Sequence, residues 1–378
     1  MEGAETVLKI TPLHEEHVAL GARMTEFGGW DMPIQYEGIL AEHQHTRTKT
    51  GLFDICHMGE FELTGPTAAA DLENLLTMKV STLAVGQCRY GFLLDEQGGV
   101  IDDLTCYRLG DERYMLVVNA ATLEGDSEWI QQHLSSDTVF ADRSDELAKL
   151  DVQGPQARVD LETVIGKKLP DLGYFKAEFF QCSENLLGAG SACLETEMIL
   201  SRTGYTGELG YELYFPATEA VRIWRALLAN ENIKPIGLGA RDTLRLEMGY
   251  SLYGHELSRE QTPAATSRGM FIKKEGDFIG RETVMCDLEN PAELLVALEF
   301  ENKRAARAHD NIFLQGVGKG EVTSGSLSPS LGKAVALARV QADAAEPGTV
   351  LEVEIRGKRF PATVVALPFY KNGTARLG

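Results

Sequence analysis

The chain has 378 residues, enough for two or three domains, and its 44% hydrophobic and 24% charged residues are the balance of a soluble globular protein. A formal charge of −20, from 36 basic against 56 acidic residues, argues against nucleic acid as a partner, while leaving room for a local basic pocket that takes a small anion. No apolar run approaches the roughly 18 residues of a membrane span. The start MEGAETVLKITPL shows no signal-peptide pattern, and six scattered cysteines without a CxxC fit reduced thiols in the cytoplasm.

In chain order, Thr11 and Pro12 suit the cap and first turn of a helix, with Leu13, His17, Leu20 and Met24 at helical spacing behind them. FGGWDMPIQY (27–36) is aromatic, Gly-rich and irregular, and reads as a packed loop. EGILAEHQHTRTKTG reads as a short amphipathic helix stopped by Gly51. Residues 52–65 alternate as one strand, PTAAADLENLLTM is a helix, and 88–120 spell consecutive strands with turns at 96–99 and 110–112. A helix over TLEGDSEWIQQHL and a strand at 147–152 follow. The stretch 156–230 repeats the mixture: a helix, strands near 178–182 and 197–201, the strand GYELYF and the helix ATEAVRIWRALLAN. PAATSRGMFIKKEGDFIGRE (263–282) links into short alternating strands that begin near Ala292 and make an all-β domain of about 85 residues, a barrel or sandwich. Helices mixed with antiparallel hairpins give an α+β class.

Three stretches could carry chemistry. QGGVIDDL sets Asp102 and Asp103 side by side in an apolar strand. Neighbours on a strand face opposite sides, so at most one looks into a given cavity, and an unpaired buried carboxylate is costly; a turn-proximal surface pair is the plainer reading. SRTGYTGELGYELYF has Gly204, Gly207 and Gly210 at a spacing of three, neither GxGxxG nor a P-loop. It reads first as a Gly-rich hairpin. It also suits close backbone approach to a flat heteroaromatic ligand, with Tyr205 and Tyr211 nearby and Glu212 able to accept two hydrogen bonds from a ring edge. GLGARDTLRLEMGYSLYG gathers Arg241, Asp242, Arg245 and Glu247, as an internal ion-pair lattice or as an arginine fork for a ligand carboxylate. His14, His17, His43 and His45 lack metal-site spacing, and no HExxH or paired CxxC occurs, so no metal is expected. With no GxSxG and no Cys–His pairing, a positioning or acid–base carboxylate remains.

Together, TPLHEEHVALGARM, FGGWDMPIQY, HTRTKTGLFDICHMGEFELTGP, GQCRYGFLLDEQGGVIDDL, SRTGYTGELGYEL, GLGARDTLRLEMGYSLYG, VTSGSLSPSLGKAVALARV and LPFYK resemble the aminomethyltransferases of the glycine cleavage system, the T-protein family, nearly end to end. The resemblance implies a three-domain, cloverleaf-like fold. One α+β domain would take 1–50 with 143–240, interleaved with a second from 51–142 and 241–285 around a folate site; a C-terminal β-barrel-like domain would span 286–378. It also implies transfer of a one-carbon unit from the S-aminomethyl-dihydrolipoyl arm of the H-protein to tetrahydrofolate, releasing ammonia and methylenetetrahydrofolate. On the matching positions, Asp103 is the carboxylate beside the folate N10 region that places or deprotonates the attacking amine. Glu212 grips the pterin edge, supported by Tyr90, Asn119 and Tyr205; Arg241 is a folate-binding arginine with Tyr250 in the same patch, and Arg376 matches a C-terminal arginine. Cys56 departs from the family, which commonly has Ser in the DVSHM stretch. Two readings share the fold: folate-dependent demethylases of methylated amines or sulfonium compounds, and non-catalytic folate-binding proteins of iron–sulfur maturation. The latter carry a KGCYxGQE-like stretch, and its cysteine is missing from SRTGYTGELGYE here.

Overall fold

The computed structural model describes residues 7–181 and 197–377; the expected end of a strand at Cys182 lies outside them. The chain opens with β1 (Arg23–Phe27), β2 (Trp30–Gln35), β3 (Thr50–Asp54) and β4 (Gly59–Thr64). There follow β5 (Gln87–Leu94), β6 (Val100–Gly110), β7 (Arg113–Val118), β8 (Val139–Asp142) and β9 (Leu147–Gln153). Next come β10 (Ala177–Gln181), β11 (Glu197–Ser201), β12 (Gly210–Pro216) and β13 (Ile233–Pro235). The last part holds β14 (Glu293–Phe300), β15 (Asn311–Leu314), β16 (Val317–Leu327), β17 (Ala334–Gln341), β18 (Val350–Ile355) and β19 (Lys358–Val365).

A six-stranded sheet runs β10-β11-β12-β9-β3-β13, a five-stranded one β5-β6-β7-β4-β8, and β14 to β19 close a barrel. The chain leaves the first sheet after β3, builds the whole second sheet, and returns through β9, so the two α+β units are interleaved. Of the expected segment limits, 50/51 falls inside β3, while 240/241 and 285/286 fall inside the helices Leu238–Met248 and Arg281–Glu289. The helices Ala157–Ile165 and Ala220–Leu228 bury Leu161 and Trp224 with Leu52, Leu150, Val152 and Leu213. Ala68–Leu75 and Leu123–Gln132 bury Leu72, Leu75 and Ile130 with Phe61, Leu63 and Leu116. In β17 both faces are covered: Ala334, Ala336 and Ala338 fill the barrel, while Val335 and Leu337 pack outward on Leu246 and Phe369.

Three local readings change. The expected loop at 27–36 is largely the hairpin β1–β2, with Phe27 opposite Trp30 and the turn made by Gly28 and Gly29 at φ 58° and 85°, the geometry a two-residue turn demands. The preceding helix therefore stops early, at His14–Ala19. Residues 52–65 are not one strand, because Asp54 turns the chain: its carboxylate accepts the Cys56 amide at 2.9 Å, Thr11 Oγ1 at 2.6 Å and His17 Nε2 at 2.8 Å. Gly51 lies in β3 rather than stopping a helix; a Cβ there would meet Thr46 Oγ1 at 2.6 Å.

The helix Leu238–Met248 pins the interleaved units to the barrel. Glu247 accepts Arg47 Nη2 at 2.8 Å, Ser328 Oγ at 2.5 Å and Ser330 Oγ at 2.8 Å, and Arg245 bonds Glu256 and Ser324, each at 2.8 Å. Burial alone would raise the Glu247 carboxyl, but His43, Arg47 and Ser328 outweigh it and hold it at about 2, against 4.5 ordinarily. A carboxylate so depressed adds stability above its unfolded value and loses it as pH falls through the folded one. Glu247→Gln is therefore expected to lower neutral-pH stability by on the order of 3 kcal/mol. It should also flatten the acid-side decline of the melting temperature between about pH 4.5 and 2. An equally steep acid limb in the variant would remove Glu247 from that role.

Candidate functional site

A cavity of about 380 Å³ opens between the two α+β units and the helix Leu238–Met248. Alternation along β6 divides the two aspartates as their adjacency requires. Asp103 faces the cavity, half-buried, while Asp102 lies wholly buried behind it. Tyr90, on the neighbouring β5, donates its hydroxyl to Asp103 Oδ2 at 2.8 Å, and Asn119 donates Nδ2 to Oδ1 at 2.9 Å. Asn119 sits just past β7 and is itself held by Asp102, through its backbone amide at 2.9 Å and its side chain at 2.8 Å. Burial, then the charge of Asp102, lifts the Asp103 carboxyl to about 7, despite the two donors.

The opposite wall comes from β9 and β12, where Glu212 pairs with Asp151 in register. Thr203 and Tyr214 donate to Glu212 Oε2 at 2.7 and 2.9 Å, and Lys149 Nζ stands 3.7 Å from Oε1. Burial works to raise Glu212, but Lys149 and the two hydroxyls outweigh it, leaving the carboxyl below its usual range. Asp151 goes the other way: burial pushes it up to about 6 although Arg241 Nη1 donates to it at 2.8 Å. Arg241 also lies 4.9 Å over the Tyr205 ring, a cation–π contact. The Tyr205 hydroxyl donates to the Ser251 carbonyl.

Tyr90, Asp103, Asn119, Tyr205, Glu212 and Arg241 thus border one cavity. Tyr250 does not; it stacks on Tyr205, ring centres 5.6 Å apart. Arg376 is exposed outside the cavity, in a C-terminal strap whose Ala375 and Leu377 carbonyls are held by Arg202. Within the charged patch, Arg245 is locked in an ion-pair lattice with Glu256 and Asp242, while Arg241 borders the cavity and is paired with Asp151. A Cβ at Gly204 or Gly210 would sit 2.2 Å from the Gln153 side chain, so both glycines make room for a buried glutamine, and Gly204 also borders the cavity.

Lys149 and His57 escape the sequence reading. Lys149 is a buried lysine in an apolar strand, and that mismatch was its only signal. His57 is buried on the cavity with no partner for Nδ1, and burial holds it near 4, as a neutral imidazole. Among the described residues no group of His, Cys, Asp or Glu has the spacing of a metal site, and no helix is long and apolar enough to cross a membrane.

Residues 13–276 match a family model described as the GCVT N-terminal domain, and 294–371 match the glycine cleavage T-protein C-terminal barrel domain. An aminomethyltransferase of Bacillus mycoides (strain KBAB4) is 42% identical over 370 residues, covering 96% of this chain and 98% of its own. One from Shouchella clausii (strain KSM-K16) is 42% identical over 373 residues, 97% and 99% of the two chains. The crystal structure of glycine cleavage system aminomethyltransferase T from Bartonella henselae has a TM-score of 0.88 at 32% identity, covering 96% of this chain and 98% of that one.

A carboxyl raised to about 7 disfavours folding once it ionises. In the unfolded chain it ionises near pH 4, so stability falls as pH rises from there toward 7. Asp103→Asn is expected to melt a few degrees above the parent at mildly alkaline pH, with the difference closing near pH 4. A variant less stable at every pH would show that the carboxylate is not strained.

Proposed function

The chain belongs to the glycine cleavage T-protein family, and from that premise we propose that its cavity takes tetrahydrofolate and the aminomethyl-loaded lipoyl arm of an H-protein. The enzyme is an aminomethyltransferase of the glycine cleavage system. The observation that carries the finer reading is Asp103, a carboxyl poised near neutral pH at a cavity wall, with both oxygens aimed by Tyr90 and Asn119.

The residues present fit the proposed ligand. Phe27, Tyr90, Phe175 and Tyr205 give the cavity flat apolar surface, and Glu212 offers an ionised acceptor for ring N–H groups. Arg241 borders the same end, held by Asp151 and laid over Tyr205. Tetrahydrofolate supplies the amine that accepts the one-carbon unit. Asp103 orients that amine and takes its proton, a task suited to a group whose pKa lies near the working pH. Tyr90 and Asn119 keep the carboxylate from turning away. Tyr250 stiffens Tyr205 from behind, and Arg376 belongs to the strap closing over the Arg202 side. We place the enzyme in the cytoplasm, in keeping with the free thiols of Cys56, Cys88, Cys106 and Cys286.

The test is single turnover with tetrahydrofolate and aminomethyl-loaded, lipoylated H-protein, following ammonia and methylenetetrahydrofolate together. Both are expected in stoichiometric amounts. Asp103→Asn should lower the rate by roughly 10²–10⁴-fold while folate affinity stays within a few-fold; Arg241→Ala should weaken folate binding about tenfold or more. Undiminished turnover in Asp103→Asn would remove its role. Folate binding without either product would point to a different donor.

A further inference from the structure

Behind the cavity wall lies a third carboxyl that the mechanism above does not use. Asp126, in the first turn of the helix Leu123–Gln132, is fully buried, and neither of its oxygens has a hydrogen-bond donor. It faces the carboxyl of Asp102 and the hydroxyl of Thr122, which is turned to the Asn119 carbonyl at 3.2 Å. The other charged or titratable groups nearby are Arg259, which is exposed, Tyr253, whose hydroxyl donates to the Val100 carbonyl at 3.3 Å, and Asp103 beyond Asp102.

Two ionised carboxylates cannot share such a pocket without a bonded cation. One proton must therefore lie between Asp102 and Asp126, and the hydrogen bonds decide where. Both Asp102 oxygens already accept N–H groups from Asn119, at 2.8 and 2.9 Å, whereas Asp126 accepts none. The helix N-terminus favours an anion at Asp126, but that effect is weaker than the like charge beside it.

We propose that Asp126 is a positioning residue: held protonated, it donates a hydrogen bond to Asp102, keeps Asp102 ionised, and so locks Asn119 onto Asp103. Burial, with Asp102 beside it, lifts the Asp126 carboxyl to about 10, which agrees with this placement of the proton. The chain Asp126–Asp102–Asn119–Asp103 fixes where the base points. It also fixes how basic the base is, because the charge kept on Asp102 is what adds to burial in raising Asp103.

The proposal deepens the aminomethyltransferase reading and rests on it, so its test needs one readout that does not. Asp126→Asn preserves a donor of the same shape; Asp126→Leu removes it. In the leucine variant Asp102 loses a donor to its anion, so its carboxyl, already raised by burial, rises further and its charge is weakened. That variant is expected to lose about tenfold or more in kcat with folate Kd within about threefold. The limb of its pH–rate profile that reports Asp103 should move down by about one unit. Asp126→Asn should restore most of the rate and the parent profile. Independently of turnover, the infrared difference between the parent and Asp126→Asn at mildly alkaline pH should contain the carbonyl stretch of a protonated carboxyl. Absence of that band would overturn the proposal even if the leucine variant does not fold. So would a leucine variant with an unmoved profile, or an asparagine variant as impaired as leucine. If the parent itself fails to turn over, the reaction assignment falls while the infrared band still judges the proton on Asp126.

Discussion

The site depends on a carboxylate kept ionisable near neutral pH inside a protein wall. Ordinary solvation would drop Asp103 far below that range; full burial would make it too strong a base to release its proton. The fold reaches the middle by half-burying Asp103 on β6 and placing the charge of Asp102 directly behind it on the same strand. Tyr90 and Asn119 then pull the value back by donating to the anion. The first half of this balance comes from strand alternation, which lets adjacent residues present one carboxylate to the cavity and one to the interior; the second comes from the neighbouring strands.

Interleaving serves the same end. Because the chain builds its second sheet between two visits to the first, the Asp103 wall on β6 and the Glu212 wall on β9 and β12 are carried by different sheets. The helix Leu238–Met248 then fastens the pair to the barrel through Arg245 and Glu247, and offers Arg241 to the cavity from the same turns. Buried ion pairs of this kind are weak sources of net stability, but breaking one is costly. They fix register between units more than they add to cohesion.

Much of this was legible in the sequence. Period-two alternation located the strands that carry Asp103 and Glu212, and the resemblance supplied the interleaving that no local pattern encodes. What failed, failed for physical reasons. The hairpin at 27–36 looked irregular because its two strands are short and its turn is two glycines, so aromatic content outweighed alternation. The break after Asp54 was hidden because a side chain, rather than Gly or Pro, makes the turn. The reason for glycine at 204 and 210 was not legible, because that space belongs to Gln153, a partner 50 or more residues away that no local window contains. Cys56, a departure from the family pattern, exchanges hydrogen bonds with the Lys149 backbone, Sγ donating to the carbonyl at 3.4 Å and accepting the amide at 3.3 Å.

Charge resolves in a way composition did not suggest. A chain at −20 for which an anionic ligand is proposed invites the idea of a basic pocket. Instead, each cation at the cavity has a buried acidic neighbour: Lys149 faces Glu212 at 3.7 Å, Arg241 holds Asp151 at 2.8 Å, and Arg245 holds Glu256 at 2.8 Å. Local attraction for an anion is largely cancelled inside the wall. Recognition of the proposed ligand would then rest on shape, aromatic surface and directed hydrogen bonds rather than on a net field, and such terms lose little when salt screens charge. The same pairing explains why Glu212 is held ionised while Asp151, a strand away, is pushed upward. Lys149 and two hydroxyls converge on the first; the second has mainly Arg241 to set against its burial.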